Sequence, residues 1–343
     1  MTRPAPAEVS AAMVLLRRLG IAPEDLVDAA ANSVRAVPTF AEYIPKVIAA
    51  MPAGGTRANY VSYWNKLLAR EDWRDRPIDE PTVTEFRQLI AETRAARVLR
   101  SNSRDGSAGE RLFITALRRL YQFALEDGLI DPHHNPAARL KRPRNLRSSR
   151  HALPSDLLAS INTAAATTGH DPELDVLLLR LHTETACRRA GALALRPQDL
   201  DRRQCLIRLR EKGGTQRWQP VSPTLMHALI HHADRRGAAP AAPLLRNRRG
   251  RPISRGRYDQ LWQRIARHVP EVAIQGITTH WLRHTTLTWV ERSFGHAVAR
   301  AYAGHTDANG EGSTILYTRA GIEEVARALA ALTAEPHPLA PDR

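Results

Sequence analysis

Four residues in the last third of the chain, His280, Arg283, His305 and Tyr317, have the types and spacing to work on a phosphate. His280 and Arg283 stand one helical turn apart, His305 follows Gly304, and Tyr317 comes twelve residues after His305. Imidazole and guanidinium groups bind non-bridging phosphate oxygens, and imidazoles also carry protons. A phenol can serve as a covalent nucleophile where attack by water would give no reversible product. Such a set needs further positive charge and a proton donor. The rest of the chain must supply both. One of its lysines, Lys212, stands in the glycine turn Glu211-Lys212-Gly213-Gly214-Thr215, and Arg188 precedes Arg189. The chain holds 4 lysines, Lys46, Lys66, Lys141 and Lys212, against 46 arginines, so each lysine raises the question of why arginine was not used. Guanidinium is too weak an acid to give up a proton, and an ammonium is not.

Each of these residues also has an ordinary reading. A lysine in a glycine turn is usually solvated, a His and an Arg at i and i+3 are a common half-buried helix pair, and Arg188 beside Arg189 suits a helix surface. Their order along the chain carries the argument, and the elements around them must bring them together.

The helical period dominates those elements. Residues 7–19 carry Val9, Met13, Leu16 and Leu19 at helical spacing and stop at Gly20, and a second short helix is expected from Pro23 to Ala31. After Thr56, Tyr60, Tyr63, Trp64, Leu67 and Leu68 share a helix face, read as core. A later helix opens on Ser107 and Glu110 as a capping box, carries Leu112, Ala116, Leu120, Phe123 and Ala124, and stops at Gly128. After Pro154, with Ser155 as N-cap, helices run to about Thr185. Residues 187–195 resume an apolar helical pattern, and Cys205 to Leu209 with Trp218 to Val221 reads as a hairpin around the Lys212 turn. Helices are expected at 222–236, 254–268, 279–293 and 321–332. In the last of these, Ile322, Val325, Ala326, Leu329 and Leu332 form an apolar stripe that suits either packing on its own domain or a link between protomers.

This organisation predicts a mainly α, multi-domain protein: an N-terminal helical extension over 1–36, a helical domain over 38–138, a basic linker over 139–152, and a mostly helical domain with a small antiparallel β-sheet over 153–343. At 343 residues the chain can bury two ordinary cores. It has 50 Lys+Arg against 35 Asp+Glu, a net charge of +15, with 24 basic against 17 acidic residues up to residue 150 and 26 against 18 beyond it. Two basic halves suggest two domains that face one polyanion. The linker concentrates Arg139, Lys141, Arg142, Arg144, Arg147 and Arg150 without an acid, and a second acid-free cluster holds Arg246, Arg248, Arg249, Arg251, Arg255 and Arg257. Backbone contacts to DNA are expected from Arg139, Lys141, Arg142, Arg144 and Arg147 and from Arg248, Arg249 and Arg251. Two cysteines, Cys187 and Cys205, exclude a disulfide framework and point to a reducing, cytoplasmic setting. No apolar run is long enough for a membrane span.

Taken in order, Arg, Lys, His-x-x-Arg, Gly-His and Tyr resemble the tyrosine recombinase family of phage integrases and Xer-type resolving enzymes, whose catalytic domain shares its chemistry with type IB topoisomerases. Thr185-Ala186-Cys187-Arg188 stands in the place of the family's Thr-Gly-x-Arg, followed by Leu193-Ala194-Leu195 and Asp199-Leu200-Asp201. Lys212-Gly213-Gly214 with Arg217 to Pro220 resembles its lysine hairpin, and His280-Trp281-Leu282-Arg283-His284-Thr285 its His-x-Leu-Arg-His-Thr. Gly304-His305 and Tyr317 complete the set. The motifs cover about residues 150–332; the helical domain before them matches the family's core-binding domain in placement and character. Two departures stand out. Gly191 replaces the carboxylate usual three residues after the first arginine, and the interval from His305 to Tyr317 is lengthened around Asp307 to Gly312.

The resemblance implies the tyrosine recombinase catalytic fold and a site-specific recombinase or integrase that cleaves and rejoins double-stranded DNA through a 3′-phosphotyrosyl intermediate. Its catalytic residues would be Arg188, Lys212, His280, Arg283, His305 and Tyr317, with no cofactor and no metal, in a tetramer on specific DNA sites. A topoisomerase-like relaxing enzyme, a non-catalytic DNA-binding regulator on the same fold, and a metal-dependent nuclease are the other readings.

Overall fold

The computed structural model describes residues 6–23, 37–96, 107–144, 151–210, 214, 216–304 and 320–340. The chain is mainly helical with a small three-stranded antiparallel sheet, and it divides into two compact units, Met1–Leu146 and Arg147–Arg343.

In the first unit, α1 (Pro6–Leu19) ends at Gly20, whose φ of 68° is the left-handed conformation that closes a helix. None of its residues is buried. The short helix expected after Pro23 falls on 24–31, outside the described residues. Four further helices, α2 (Phe40–Ala50), α3 (Gly55–Leu68), α4 (Glu71–Arg74) and α5 (Val83–Ala95), pack with the long α6 (Ser107–Glu126) around an aromatic interior. Thr39 with Glu42 and Thr82 with Glu85 form capping boxes that start α2 and α5.

The inner face of α6 holds Ala116, Leu120 and Ala124 as the sequence suggests, but not Leu112. Leu112 is exposed, whereas Phe113, Ile114, Leu117 and Tyr121 are buried. Glu110 in the first turn of α6 pairs with Arg94 of α5 at 3.2 Å. The basic linker expected over 139–152 begins as part of this unit. Ala137 and Leu140 are fully buried, and Arg118 of α6 donates to the carbonyls of Ala138 (3.1 Å) and Leu140 (2.6 Å). Arg111 likewise holds the carbonyl of Pro143 at 2.9 Å.

The second unit contains α7 (Ser155–Thr167), α8 (Pro172–Thr185), the five-residue α9 (Arg189–Leu193), strands β1 (Leu200–Asp201), β2 (Leu206–Arg210) and β3 (Gln216–Pro220), then α10 (Pro223–Arg235), α11 (Arg255–His268), α12 (Pro270–Gln275), α13 (Thr279–Ala303) and α14 (Ile322–Thr333). Pro154, rather than Ser155, is the N-cap of α7. The sheet runs β1-β2-β3, with Ile207 opposite Gln219 and Leu209 opposite Arg217. Its main core gathers Leu174, Leu178, Ile207, Leu209, Leu229 and Leu261.

Within α13 the backbone breaks at Gly295 (φ 84°), so the helix bearing His280 and Arg283 is followed by a separate segment leading to Gly304. A smaller cluster joins that segment to α14 through Val298, Tyr302, Val325 and Leu329. Val325, Ala326 and Leu329 of the α14 stripe are thus packed inside their own domain, whereas Ile322 is exposed. The chain beyond it also folds back: Glu335 meets Arg180 at 3.0 Å, and the buried His337 meets the carbonyl of Cys205 at 3.2 Å.

Candidate active site

Arg188 owes its place to the way α8 ends. The helix stops at Thr185, and Ala186 takes a left-handed conformation (φ 48°, ψ 23°) with its N–H returning to His182 O at 3.0 Å. An alanine there costs about 1–2 kcal/mol relative to glycine, so the turn must be held by other contacts. The Thr185 hydroxyl accepts from Cys187 N at 3.2 Å. The fully buried His182 places Nδ1 3.0 Å from the Cys187 carbonyl and Nε2 3.0 Å from the Tyr258 hydroxyl. Burial lowers the pKa of His182 to about 4, so its ring is neutral and acts as a brace. Arg188 then follows as the half-buried N-cap of α9, and the half-buried Arg189 pairs with Asp259 at 3.1 Å.

Arg283 joins this turn to the far end of α13. It is 5% exposed, and its guanidinium donates to the carbonyl of Ala186, two residues before Arg188, and to that of Ala303 at 2.9 Å, two residues before His305. One buried side chain therefore ties together two segments more than a hundred residues apart. His280, one turn before Arg283, lies on the exposed side of the first turn of α13. The same helix is fixed from two other sides: Thr286 donates to Thr183 O at 2.7 Å, and Thr285 accepts from Leu153 N at 3.0 Å. Tyr302 donates to Glu184 O, and burial pushes its phenol pKa up, so this tyrosine is a strut.

The hairpin is anchored at its base by Asp199. Its buried carboxylate accepts from Arg208 at 2.8 Å and from Arg210 at 2.6 Å, both on β2, and from Arg196 N at 3.1 Å. Burial pushes this carboxyl pKa up, but the two guanidinium groups outweigh it and leave it lowered. Arg210 ends β2, two residues before Lys212. Lys212, His305 and Tyr317 lie outside the described residues. Of the expected catalytic set, the structure thus places Arg188, His280 and Arg283.

Comparison with known proteins bears on this arrangement. Residues 152–322 match the phage integrase family. The tyrosine recombinase XerC of Chlamydia caviae is 25% identical over 248 residues, covering 69% of this chain and 72% of that protein. XerC of Chlamydia pneumoniae is 30% identical over 200 residues, 55% of this chain and 61% of its own length. The chain belongs to the phage integrase family. The aligned part of the chain spans 61–72% of those two relatives' lengths. Among solved structures, a lambda integrase dimer bound to a COC′ core site superposes with a TM-score of 0.62 at 17% identity, over 91% of this chain and 85% of that one. The Tn1549 transposon integrase in complex with transposon right end DNA gives 0.62 at 16%, over 86% and 99%. At such identities the likeness shows the fold.

Among the residues expected to contact DNA, Arg139, Lys141, Arg142, Arg144, Arg248, Arg249 and Arg251 are exposed, and Arg147 lies outside the described residues. Two other arginines of the acid-free cluster face inward. Arg257 pairs with the buried Asp175, which also binds Arg264 at 2.5 Å; Arg246 donates to Gly250 O at 2.7 Å and shapes its own loop. Gly191, in the usual place of a carboxylate, is buried. The braces His182, Tyr258, Glu184 and Tyr302 went unseen in the sequence. Nothing in their spacing marks them, because their partners lie 5 to 118 positions away.

Proposed function

We propose that this tyrosine recombinase is a site-specific DNA recombinase that cuts and rejoins strands through a covalent bond to Tyr317. The phenol oxygen attacks a scissile phosphodiester, giving a 3′-phosphotyrosyl protein and a free 5′-hydroxyl. A 5′-hydroxyl from another strand then reverses the step, so the energy of the broken bond is kept in the ester. Arg188, Arg283 and His305 share the charge that builds on the non-bridging oxygens, a task for preorganised donors. Lys212 gives a proton to the departing 5′-oxygen, and His280 takes the tyrosine proton or donates to the phosphate. The observation that supports this reading is the Arg283 guanidinium, buried and bonded to Ala186 O and Ala303 O, since it ties the turn before Arg188 to the end of α13.

The partner is double-stranded DNA carrying specific sites, bound by a multimer, with a tetramer as the form in which exchange occurs. The exposed arginines around 139–144 and 248–251 follow the phosphate backbone, so affinity falls steeply with salt. A relaxing enzyme of the topoisomerase type would use the same residues without demanding paired specific sites.

The test is a selection. A random-sequence library of nicked duplexes is incubated with the protein, covalent adducts are captured, and the DNA and the attached peptide are identified. Adducts on Tyr317 that share a sequence are expected. Adducts on another residue, or none from the unsubstituted chain while DNA is bound, would reject the proposal.

A further inference from the structure

Two guanidinium groups from different elements meet the turn that ends α13. Arg283 holds Ala303 O at 2.9 Å. Arg217, on β3, lies across the next residue, Gly304: a β-carbon there would overlap Nε and Cδ of Arg217 and stand 3.1 Å from its Cζ. Gly304 also has φ of 63°, so glycine is required twice, for backbone conformation and for space. Strand alternation explains why Arg217 is the residue that arrives. Gln216 and Trp218 are exposed, Arg217 is half-buried and Gln219 fully buried, so Arg217 and Gln219 share the inner face of β3. Arg217 Nη1 donates to Gln219 Oε1, which lays the side chain along its strand.

We infer that Arg217 is a positioning residue: it registers the hairpin that carries Lys212 against the turn that presents His305. Asp199 grips β2 at the base of the hairpin through Arg208 and Arg210, and Arg217 grips β3 against Gly304. The hairpin is thus held on both strands, with Lys212 two positions after the end of β2 and His305 next to Gly304 in the sequence. The contact itself is independent of function, whereas the role rests on the recombinase reading of Lys212 and His305.

Two measurements on the full chain test this. The first is a urea-unfolding cycle of Gly304→Ala, Arg217→Ala and the double variant. If Arg217 fills the space, Gly304→Ala should cost clearly less stability in the Arg217→Ala background, where only the backbone conformation penalises it. Strictly additive costs would overturn the contact. The second measures covalent adduct formation at saturating DNA on the duplex recovered by the selection, made with oxygen or with sulfur in the 5′-bridging position. Arg217→Ala should slow the oxygen reaction roughly 10- to 100-fold, as misplacement of a reacting group does, and leave affinity unchanged. The sulfur duplex, whose leaving group needs no proton, should recover part of the loss. Arg217→Lys keeps the aliphatic stem over Gly304 and should restore most of the oxygen rate. An unchanged oxygen-to-sulfur ratio in Arg217→Ala would mark the residue as packing alone. If the unsubstituted chain forms no adduct, the recombinase reading fails and takes the role with it, while the urea cycle still decides the contact.

Discussion

In the first unit the interior is a row of rings. Phe40 meets Trp73, Trp73 meets Phe86 at 5.0 Å, and Phe86 meets Tyr121 edge-on at 5.6 Å. Among the described residues of this unit, Asn135 is the one buried residue of polar type. The second unit buries Asp175, His182, Glu184, Asp199, Arg236 and Arg283 beside a core that is mostly leucine, isoleucine and valine. Placing charges out of water adds little stability compared with apolar side chains of the same volume. The contrast therefore separates a unit built to be a firm helical platform from one that accepts the cost of buried charge to fix the groups around Arg188, Arg283 and the hairpin.

The largest expected effect comes from Arg283→Ala. It strands two buried carbonyls, Ala186 O and Ala303 O, at about 1–3 kcal/mol each, and should also abolish adduct formation. Urea unfolding with covalent capture checks both. A variant with near-normal stability would show that Arg283 does not hold the two segments together.

Acid should then separate the units. His182 and His232 have pKa values lowered to about 4 by burial, below the ordinary 6.5. The unfolded chain therefore binds these protons first, and stability falls as pH drops from 6.5 toward 4. Asp199, held below the ordinary 3.8 chiefly by Arg210 and Arg208 against the effect of burial, adds its stability above 3.8 and loses it as pH falls through its lowered value. The described residues of the first unit hold no buried histidine. Pulse proteolysis in urea, read by peptides from each unit, should show the second unit weakening from pH 6.5 downward while the first holds. Parallel weakening would erase the contrast.

Tyr121→Phe leaves the buried carbonyl of Ile78 without the hydroxyl that reaches it at 2.6 Å, and should cost the first unit about 1–2 kcal/mol. Adduct formation at saturating DNA should not change; a slowed reaction would give the platform a share in the chemistry. Smallest of all is Ala186→Gly. Relief of about 1–2 kcal/mol of left-handed strain is offset by a lost buried methyl and a freer unfolded chain, about 1–2 kcal/mol together. The urea midpoint should barely move.

The same contrast explains what the sequence discloses. Helices, the hairpin and the recombinase motifs depend on residues close together or on short patterns, and these were legible. On α6 Ala116, Leu120 and Ala124 face inward as expected and Leu112 does not, because Leu112, Phe113 and Ile114 are consecutive and a period alone cannot say which of them faces in. Residues from 139 on read as linker by their charge, yet Leu140 docks and Arg118 binds the carbonyls of Ala138 and Leu140. Arg257 sits in an apparently acid-free cluster because its acid, Asp175, is 82 positions away. Most of the buried braces pair across long stretches of chain, as His182 with Tyr258 and Tyr302 with Glu184 O do, which hid them from a reading by short patterns.

The division of labour between Lys212 and Tyr317 gives the most direct test. The selected duplex is made with oxygen or with sulfur at the 5′-bridging position, and the covalent protein–DNA band is followed for the unsubstituted chain, Lys212→Ala and Tyr317→Phe. An alkoxide leaving group must be protonated, its conjugate acid having a pKa near water's value of about 15.7, whereas a thiol, at about 8.5, leaves without help. Lys212→Ala should be slow on oxygen and recover most of its rate on sulfur, and Tyr317→Phe should give no band on either. Equal defects of Lys212→Ala on both duplexes, or a band from Tyr317→Phe, would contradict the assignment.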